Sequence, residues 1–118
     1  MRKLKLQVQM SVDGYIAGTN GEMDWMVGNW DEELKQYVKE ITAPVDCIVL
    51  GRKLAQGFIP YWASNPEQEG ADTINRLKKV VFTKTLDKSA WDNTILAKGD
   101  LVDEITALKK QAGKDIIA

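Results

Sequence analysis

The order of apolar and polar positions along the chain predicts strands separated by helices. Segment Lys5–Val12 alternates between polar and apolar side chains, which predicts a first strand. Asp13-Gly14 is a turn signal, and Tyr15–Ala17 is expected to be a short extended return. Four later runs are short and mostly apolar, as in strands covered on both faces: Cys47–Leu50, Val80–Phe82, Thr94–Ala97 and Asp115–Ala118.

Three stretches between these runs carry helix signals. Asp31–Thr42 places apolar residues at i, i+3, i+4 and i+7 and acids in its first turn, which predicts an amphipathic helix. Arg52–Phe58 predicts a second helix. Two residues are expected to limit it, Gly57 and Pro60. Asp100 is a good N-cap for a third helix that Gly113 ends, and Asn65–Asp72 is expected to be a loop.

Strands alternating with helices indicate an α/β sheet with helices on both faces, in a single domain over residues 1–118. The loop Gly18–Glu22 is followed by crowded large apolar residues: Met23, Trp25, Met26 and Trp30. They either fix the loop to the core or form a lid over a planar ligand, and the sequence leaves both open.

Composition narrows the chemistry. The chain is 44% hydrophobic and 28% charged with a net charge of −1, so no basic excess indicates nucleic acid, and no apolar run is long enough to span a membrane. It contains no histidine, which excludes Ser-His-Asp and Cys-His catalysis, and no motif predicts a metal site. Its one cysteine, Cys47, can form no internal disulfide, so we expect a cytoplasmic protein.

Cations and glycines follow three of the predicted strands: Gly51-Arg52-Lys53, Thr83-Lys84 and Lys98-Gly99. Ligands of open α/β sheets bind beyond the carboxyl ends of the strands, where helix N-termini favour anions. Any one of these sites alone is more simply interpreted as a solvated turn. Together they suggest a ligand with several phosphates, such as a dinucleotide with an extra 2′-phosphate. A Rossmann site is not supported, because no Gly-x-Gly-x-x-Gly follows a strand.

These pieces, in this order, resemble the dihydrofolate reductase-like family, and more narrowly its branch related to the riboflavin-biosynthesis reductase domain (the RibD C-terminal domain). The resemblance covers essentially the whole chain. It rests on the following segments: Ser11–Ala17, Asp24-Trp25, Val49–Lys53, Tyr61-Trp62, Lys79–Leu86, Trp91, Ile95, Lys98–Leu101 and Asp115–Ile117. It implies a three-layer α-β-α fold with a mostly parallel central sheet.

The resemblance also implies NADPH-dependent hydride transfer to a pterin-like heterocycle or a ribosylaminopyrimidine. By it, the first strand around Gln9 and Met10 holds the nicotinamide amide, and the loop after Ile16 and Ala17 closes over it. The remaining roles implied are the pyrophosphate at Gly51, Arg52 and Lys53, the 2′-phosphate at Thr83, Lys84 and Lys98, and a substrate-side acid at Glu33. For Glu33, a first-turn carboxylate without a catalytic role is the alternative.

Two departures from the family pattern qualify this expectation. Leu54 stands where the family has a threonine, and the Gly-Gly turn and closing strands expected after Ile117 are missing from the sequence. We therefore expect a bare apolar edge at the last strand, in a fragment or in a homodimer that completes its sheet across chains. The alternative function is a non-catalytic nucleotide-binding or assembly module with half a cofactor site.

Overall fold

The computed structural model describes residues 1–26, 28 and 30–118. In this part of the chain the strands are β1 (Leu4–Lys5), β2 (Val45–Gly51), β3 (Lys78–Phe82), β4 (Thr94–Ala97) and β5 (Asp115–Ile117). The α-helices are α1 (Glu32–Thr42), α2 (Arg52–Ser64), α3 (Ala71–Arg76) and α4 (Leu101–Lys110), and Asp24–Met26 form one 3-10 turn. The chain divides into two compact units: Met1–Lys5 with Val45–Ala118, and Leu6–Pro44.

The first unit is built on a five-stranded parallel sheet with strand order β1-β5-β2-β3-β4. Its strands are apolar on both sides because helices cover both faces. One face packs Cys47, Val80, Ala97 and Ile116 against Leu108 of α4. The other face packs on α2 and α3, and its buried residues are Ile48, Leu50, Ala55, Ile59 and Val81. This three-layer arrangement confirms the predicted α/β fold.

The first strand is much shorter than predicted. Only Leu4–Lys5 pair with a neighbour, β5, and Gln9 and Met10 lie outside any strand. The alternating segment has apolar side chains, but Leu6, Val8 and Met10 are all exposed. An alternating apolar pattern indicates a strand with one buried face. The neighbouring strand β5 is only three residues long, however, and only two of its residues pair with β1. Tyr15–Ala17 likewise forms no strand, so both predictions were wrong at these positions.

The helices that flank β2 and β3 also differ from prediction. α2 runs through Gly57 and Pro60 to Ser64, because its packed side continues past both residues. Ala55 and Ile59 are buried on either side of Gly57, and Trp62, after Pro60, is partly buried. Packing therefore outweighs the cost of proline inside a helix. Ala71–Arg76 form α3 where a loop was expected to reach position 72. This helix is too short to produce a periodic apolar signal.

The last strand is not the bare edge that the sequence suggested. β5 lies between β1 and β2 and pairs with both, so its central Ile116 is fully buried. The edges of the described sheet are β1 and β4. The expectation of an exposed edge was wrong because β1 returns to cover it from the other end of the sequence, and the argument for a homodimer from that edge no longer holds.

Arg2 stabilises the sheet near the amino ends of its strands. Its side chain is buried and pairs with Asp46 of β2, and its Nε donates to the carbonyl oxygen of Lys114 at 2.6 Å. Its backbone N–H donates to the carbonyl oxygen of Lys109, at the end of α4, at 3.1 Å. One residue therefore ties together the segment before β1, the start of β2 and the turn between α4 and β5.

The second unit, Leu6–Pro44, contains the 3-10 turn and α1. Helix α1 begins at Glu32, one residue after the predicted start, because Asp31 is its N-cap: the Asp31 carboxylate accepts from the backbone N–H of Leu34 at 2.8 Å. The loop Gly18–Glu22 closes on itself, since Gly18 N–H donates to the carbonyl oxygen of Glu22 at 2.8 Å. None of the described residues of this unit is buried, and Trp25 remains 41% exposed. The side chain of Met26, which we expected in the apolar cluster, lies outside the described part.

Candidate functional site

The carboxyl ends of β2, β3 and β4 lie side by side at one edge of the sheet. Gly51 is in register with Phe82, and Phe82 is in register with Ala97. Gly51 and the residues that directly follow these positions are therefore brought to the same edge. They include six residues predicted from the sequence: Gly51, Arg52, Lys53, Thr83, Lys84 and Lys98. Parallel sheets bind ligands at such edges.

The N-terminus of α2 differs from those of the other long helices in the described chain. Asp31 caps α1 and Asp100 caps α4, and both helices carry further acids in their first turns. α2 begins directly at the end of β2, with Gly51 at the N-cap, no side-chain cap and no acid in its first turn. Its first N–H groups and the positive end of its dipole thus face no carboxylate of their own helix.

Two cations stand at this helix start, where stability alone does not favour them. Lys53 is exposed, and half-buried Arg52 donates from Nη1 to Gln56 Oε1 at 3.2 Å. A Cβ atom built on Gly51 would meet no heavy atom within 4 Å, so the backbone at this point borders open space. Free N–H groups, two cations and open space fit a phosphate group.

The loop after β3 is fixed by Thr83 and Lys84. Thr83 is buried, and its Oγ1 accepts from the backbone N–H groups of Thr85 at 3.1 Å and Leu86 at 3.0 Å. Lys84 Nζ donates to the carbonyl oxygens of Lys98 at 2.7 Å and Gly99 at 3.2 Å. Both predicted phosphate ligands therefore bind atoms of the chain itself.

Two acids at this edge were missed by the sequence analysis. Asp87 Oδ1 lies 3.2 Å from Lys98 Nζ, and Glu104 Oε1 accepts from the backbone N–H of Gly99 at 3.1 Å. Glu104 could have been recognised from the sequence, because an acid in the first turn of a helix can accept a hydrogen bond from a backbone N–H at or just before the N-cap. No local signal marks Asp87, because the pair joins positions eleven residues apart.

The other five predicted residues lie in the segment Leu6–Pro44. Gln9, Met10 and Ile16 are exposed, and Ala17 is partly exposed. Glu33 is exposed in the first turn of α1, where it lines an open groove. The other residues lining this groove are Asp31, Leu34 and Tyr37. The groove combines carboxylates with one aromatic and one aliphatic side chain, and all four of these residues are exposed.

Other candidate groups lie away from this edge. A second open groove, lined by residues that include Arg2, Lys3 and Lys110, lies at the amino end of the sheet. Burial raises the pKa of the Cys47 thiol, which makes it a poor nucleophile. Within residues 1–26, 28 and 30–118, no group of carboxylates and cysteine could hold a metal ion, and no helix is long and apolar enough to cross a membrane.

Comparisons with known proteins agree with this architecture. The family model described as the RibD C-terminal domain matches residues 2–117. The uncharacterized protein YyaP of Bacillus subtilis (strain 168) is 32% identical over 123 residues, which cover 98% of this chain and 61% of that protein. The chain thus spans about three fifths of that curated relative.

Two solved structures share the fold. A putative riboflavin biosynthesis protein from Shewanella sp. PV-4 superposes with a TM-score of 0.66 at 22% identity, over 99% of this chain and 63% of that one. A diaminohydroxyphosphoribosylaminopyrimidine deaminase/5-amino-6-(5-phosphoribosylamino)uracil reductase from Thermotoga maritima superposes with a TM-score of 0.63 at 15% identity, over 98% and 38%.

Proposed function

The chain belongs to the RibD C-terminal domain family, and on that premise we propose that it binds NADPH at the carboxyl edge of its sheet and reduces a planar heterocycle. The proposed substrate is a pterin-like ring or a ribosylaminopyrimidine, the latter class being named for the Thermotoga maritima enzyme that shares the fold. NADPH, when bound, supplies the hydride.

The observation that carries this proposal is the start of α2. A buried strand runs without an intervening loop into a helix whose N-terminus has no side-chain cap, no first-turn acid and two cations. In the described chain, the helices of similar length have an aspartate at that position. An anion bound by Gly51, Arg52 and Lys53 explains why this helix differs.

The chain's own groups would divide the remaining work. Thr83 uses its acceptor capacity on the turn after β3, so toward a ligand its hydroxyl would act as a donor. The ammonium groups of Lys84 and Lys98 would bind a 2′-phosphate from the neighbouring loops. Backbone groups at Gln9 and Met10 would bind the nicotinamide amide, beside Ile16 and Ala17. Glu33 would hydrogen-bond the amino edge of a pyrimidine or hold a proton for it.

Calorimetric titration of the chain with NADPH, and with NADH in parallel, tests this proposal. We expect binding in the micromolar range, followed by loss of reduced-nicotinamide absorbance when a ribosylaminopyrimidine or a dihydropterin is added. Absence of binding at millimolar cofactor would contradict the proposal for this chain. Exposed Arg76 in α3 offers a control, because Arg76→Ala removes a cation far from the strand carboxyl ends.

A second candidate is a nucleotide-binding module without turnover. It is favoured by the segment Leu6–Pro44, in which no described residue is buried, whereas the phosphate-binding edge belongs to a unit with two apolar cores. Such a module would bind NADPH and leave it unoxidised with every heterocycle offered. The same titration followed by the absorbance assay separates the two functions.

A further inference from the structure

The loops that follow β3 and β4 hold each other by reciprocal side-chain contacts. Lys84 of the first loop donates to the carbonyl oxygens of Lys98 and Gly99 in the second, at 2.7 and 3.2 Å. Lys98 in turn pairs with Asp87 of the first loop, with Nζ and Oδ1 3.2 Å apart. We call Lys84, Asp87 and Lys98 the clasp. Its two lysines are the cations on which a 2′-phosphate at this edge would depend.

Each of the two loops is also fixed by hydrogen bonds of its own. The Thr83 hydroxyl accepts from two backbone N–H groups of the turn that leads to Asp87. On the other side, the N–H of Gly99 is held by the Glu104 carboxylate, and a Cβ atom on Gly99 would lie 2.6 Å from that oxygen. The clasp is therefore a defined arrangement of the two loops.

The clasp does not present a positive field. Residues 83–89 and 98–104, which form the two loops and the first turn of α4, contain three cations and four carboxylates. These are Lys84, Lys88 and Lys98, with Asp87, Asp100, Asp103 and Glu104. A dianionic phosphate that approaches Lys98 meets the carboxylate already paired with it. Asp87 is 94% exposed and Lys98 46% exposed, so water screens this pair and a ligand can exchange with it.

We propose that Asp87 sets the preference of this chain between dinucleotides with and without a 2′-phosphate, by occupying Lys98. This inference rests on the proposed function, since it requires a dinucleotide at this edge. Asp87 lowers the affinity for NADPH and leaves the affinity for NADH nearly unchanged, because only the former carries the phosphate that competes for Lys98. The chain therefore discriminates between the two cofactors less than the two lysines of the clasp suggest.

The test compares dissociation constants of NADPH and NADH for the wild-type chain, for Asp87→Asn and for Asp92→Asn. Asp92 is an exposed acid in the same β3–β4 connection, at the amino end of β4, so its replacement makes the same charge change away from the clasp. We expect Asp87→Asn to raise the ratio of NADPH to NADH affinity about 1.4-fold to fivefold, the range for an exposed ion pair. Asp92→Asn should leave the ratio unchanged.

A second pair of variants tests whether Asp87 acts through Lys98. In a Lys98→Gln background, Asp87→Asn should change the ratio much less than in the wild type. An unchanged ratio in Asp87→Asn, an equal effect of Asp92→Asn, or an undiminished effect without Lys98 would each overturn the inference while leaving the proposed function intact. If neither dinucleotide binds the wild-type chain, the proposed function fails and this inference fails with it.

Discussion

Two buried cations of the described chain, Arg2 and Lys79, both bind carbonyl oxygens near the carboxyl ends of helices. Arg2 Nη1 donates to the carbonyl oxygen of Leu108, in the last turn of α4, at 3.4 Å. Lys79 Nζ donates to the carbonyl oxygens of Leu77 at 2.8 Å and Asn75 at 3.3 Å, at the end of α3. The negative end of a helix favours a cation there. Arg52 is the opposite case, a cation at a helix start, and the anion proposed to bind there would explain its position.

Replacing Arg52 tests that explanation at the level of one residue. Arg52→Ala should weaken NADPH binding by roughly 1.5–3 kcal/mol, the range for hydrogen bonds between charged groups. The same titration with Arg76→Ala should give the wild-type dissociation constant. Equal affinities of wild type and Arg52→Ala would mean that Gly51-Arg52 is only a turn between β2 and α2.

Lys79 predicts a dependence of stability on pH. Burial lowers the pKa of its ammonium below 10.5, so between the lowered pKa and 10.5 the unfolded chain binds more protons than the folded one. Over that window the contribution of Lys79 to the free energy of unfolding therefore rises with pH. We expect the free energy of unfolding of the wild type, relative to Lys79→Met, to be higher near pH 10.5 than near neutral pH.

Urea unfolding at both pH values measures this difference, and Lys78→Met provides the control. Lys78 is the exposed neighbour on the same strand, so its replacement removes the same charge without unburying a group. If the difference in free energy of unfolding between the wild type and Lys79→Met stays constant across this pH window, burial of the ammonium has no energetic cost. At neutral pH alone, the effect of Lys79→Met on the free energy of unfolding combines two opposing contributions. The variant removes the cost of burying the ammonium, but it also leaves the Asn75 and Leu77 carbonyls without this donor.

At the level of elements, two glycines differ in whether their position requires glycine. The turn between α4 and β5 requires one, and helix α2 does not. Gly113 has φ of 154°, and a Cβ atom there would lie 2.9 Å from both Arg2 Cζ and Asp46 Oδ2. Gly57 lies inside α2, and a Cβ atom there would meet no heavy atom within 4 Å. The same substitution should therefore act in opposite directions at the two positions.

We expect Gly113→Ala to lower the free energy of unfolding by about 1–3 kcal/mol, because it strains the backbone and displaces the Arg2–Asp46 pair. Gly57→Ala should raise it by about 0.5–1 kcal/mol, the usual gain from alanine over glycine within a helix. Urea unfolding of both variants against the wild type measures the two effects. A stabilising Gly113→Ala would show that the turn has room for a side chain.

Elements with complete local signals were predictable from the sequence, and those that depend on a distant partner were not. The helix over Glu32–Thr42 has both a cap and a periodic face, and Thr94–Ala97 has the bounds that the sequence predicted. The extent of β1 depends on the length of β5, which lies at the other end of the sequence. For the site, cations after strands were visible in the sequence, whereas the pairing of Lys98 with Asp87 depends on how two loops meet.

At the level of the whole molecule, the interior position of β5 makes it a main source of stability. Ile116 is fully buried between β1 and β2, whereas Ile95 on the edge strand β4 is half exposed. Ile116→Ala should therefore lower the free energy of unfolding by about 2–5 kcal/mol. Ile95→Ala should lower it by about 1 kcal/mol or less.

Chemical denaturation of the two variants, with sedimentation at the same concentrations, checks this prediction. Equal losses would contradict the buried position of β5. The homodimer predicted from the sequence stays a prediction, and the sedimentation coefficients of the wild type decide it. A stable, non-aggregating monomer would exclude it.

The pairing of the first and last strands has a consequence for synthesis on the ribosome. Arg2 bonds to Lys114, a residue 112 positions further along, and β5 then fills the space between β1 and β2. Synthesis proceeds from the amino terminus, so β2 leaves the ribosomal exit tunnel long before its neighbour β5 has been synthesised. During translation this apolar strand edge is unpaired, and closing so long a segment is intrinsically slow. We therefore expect the nascent chain to need chaperone cover until β5 emerges, and folding to finish only afterwards.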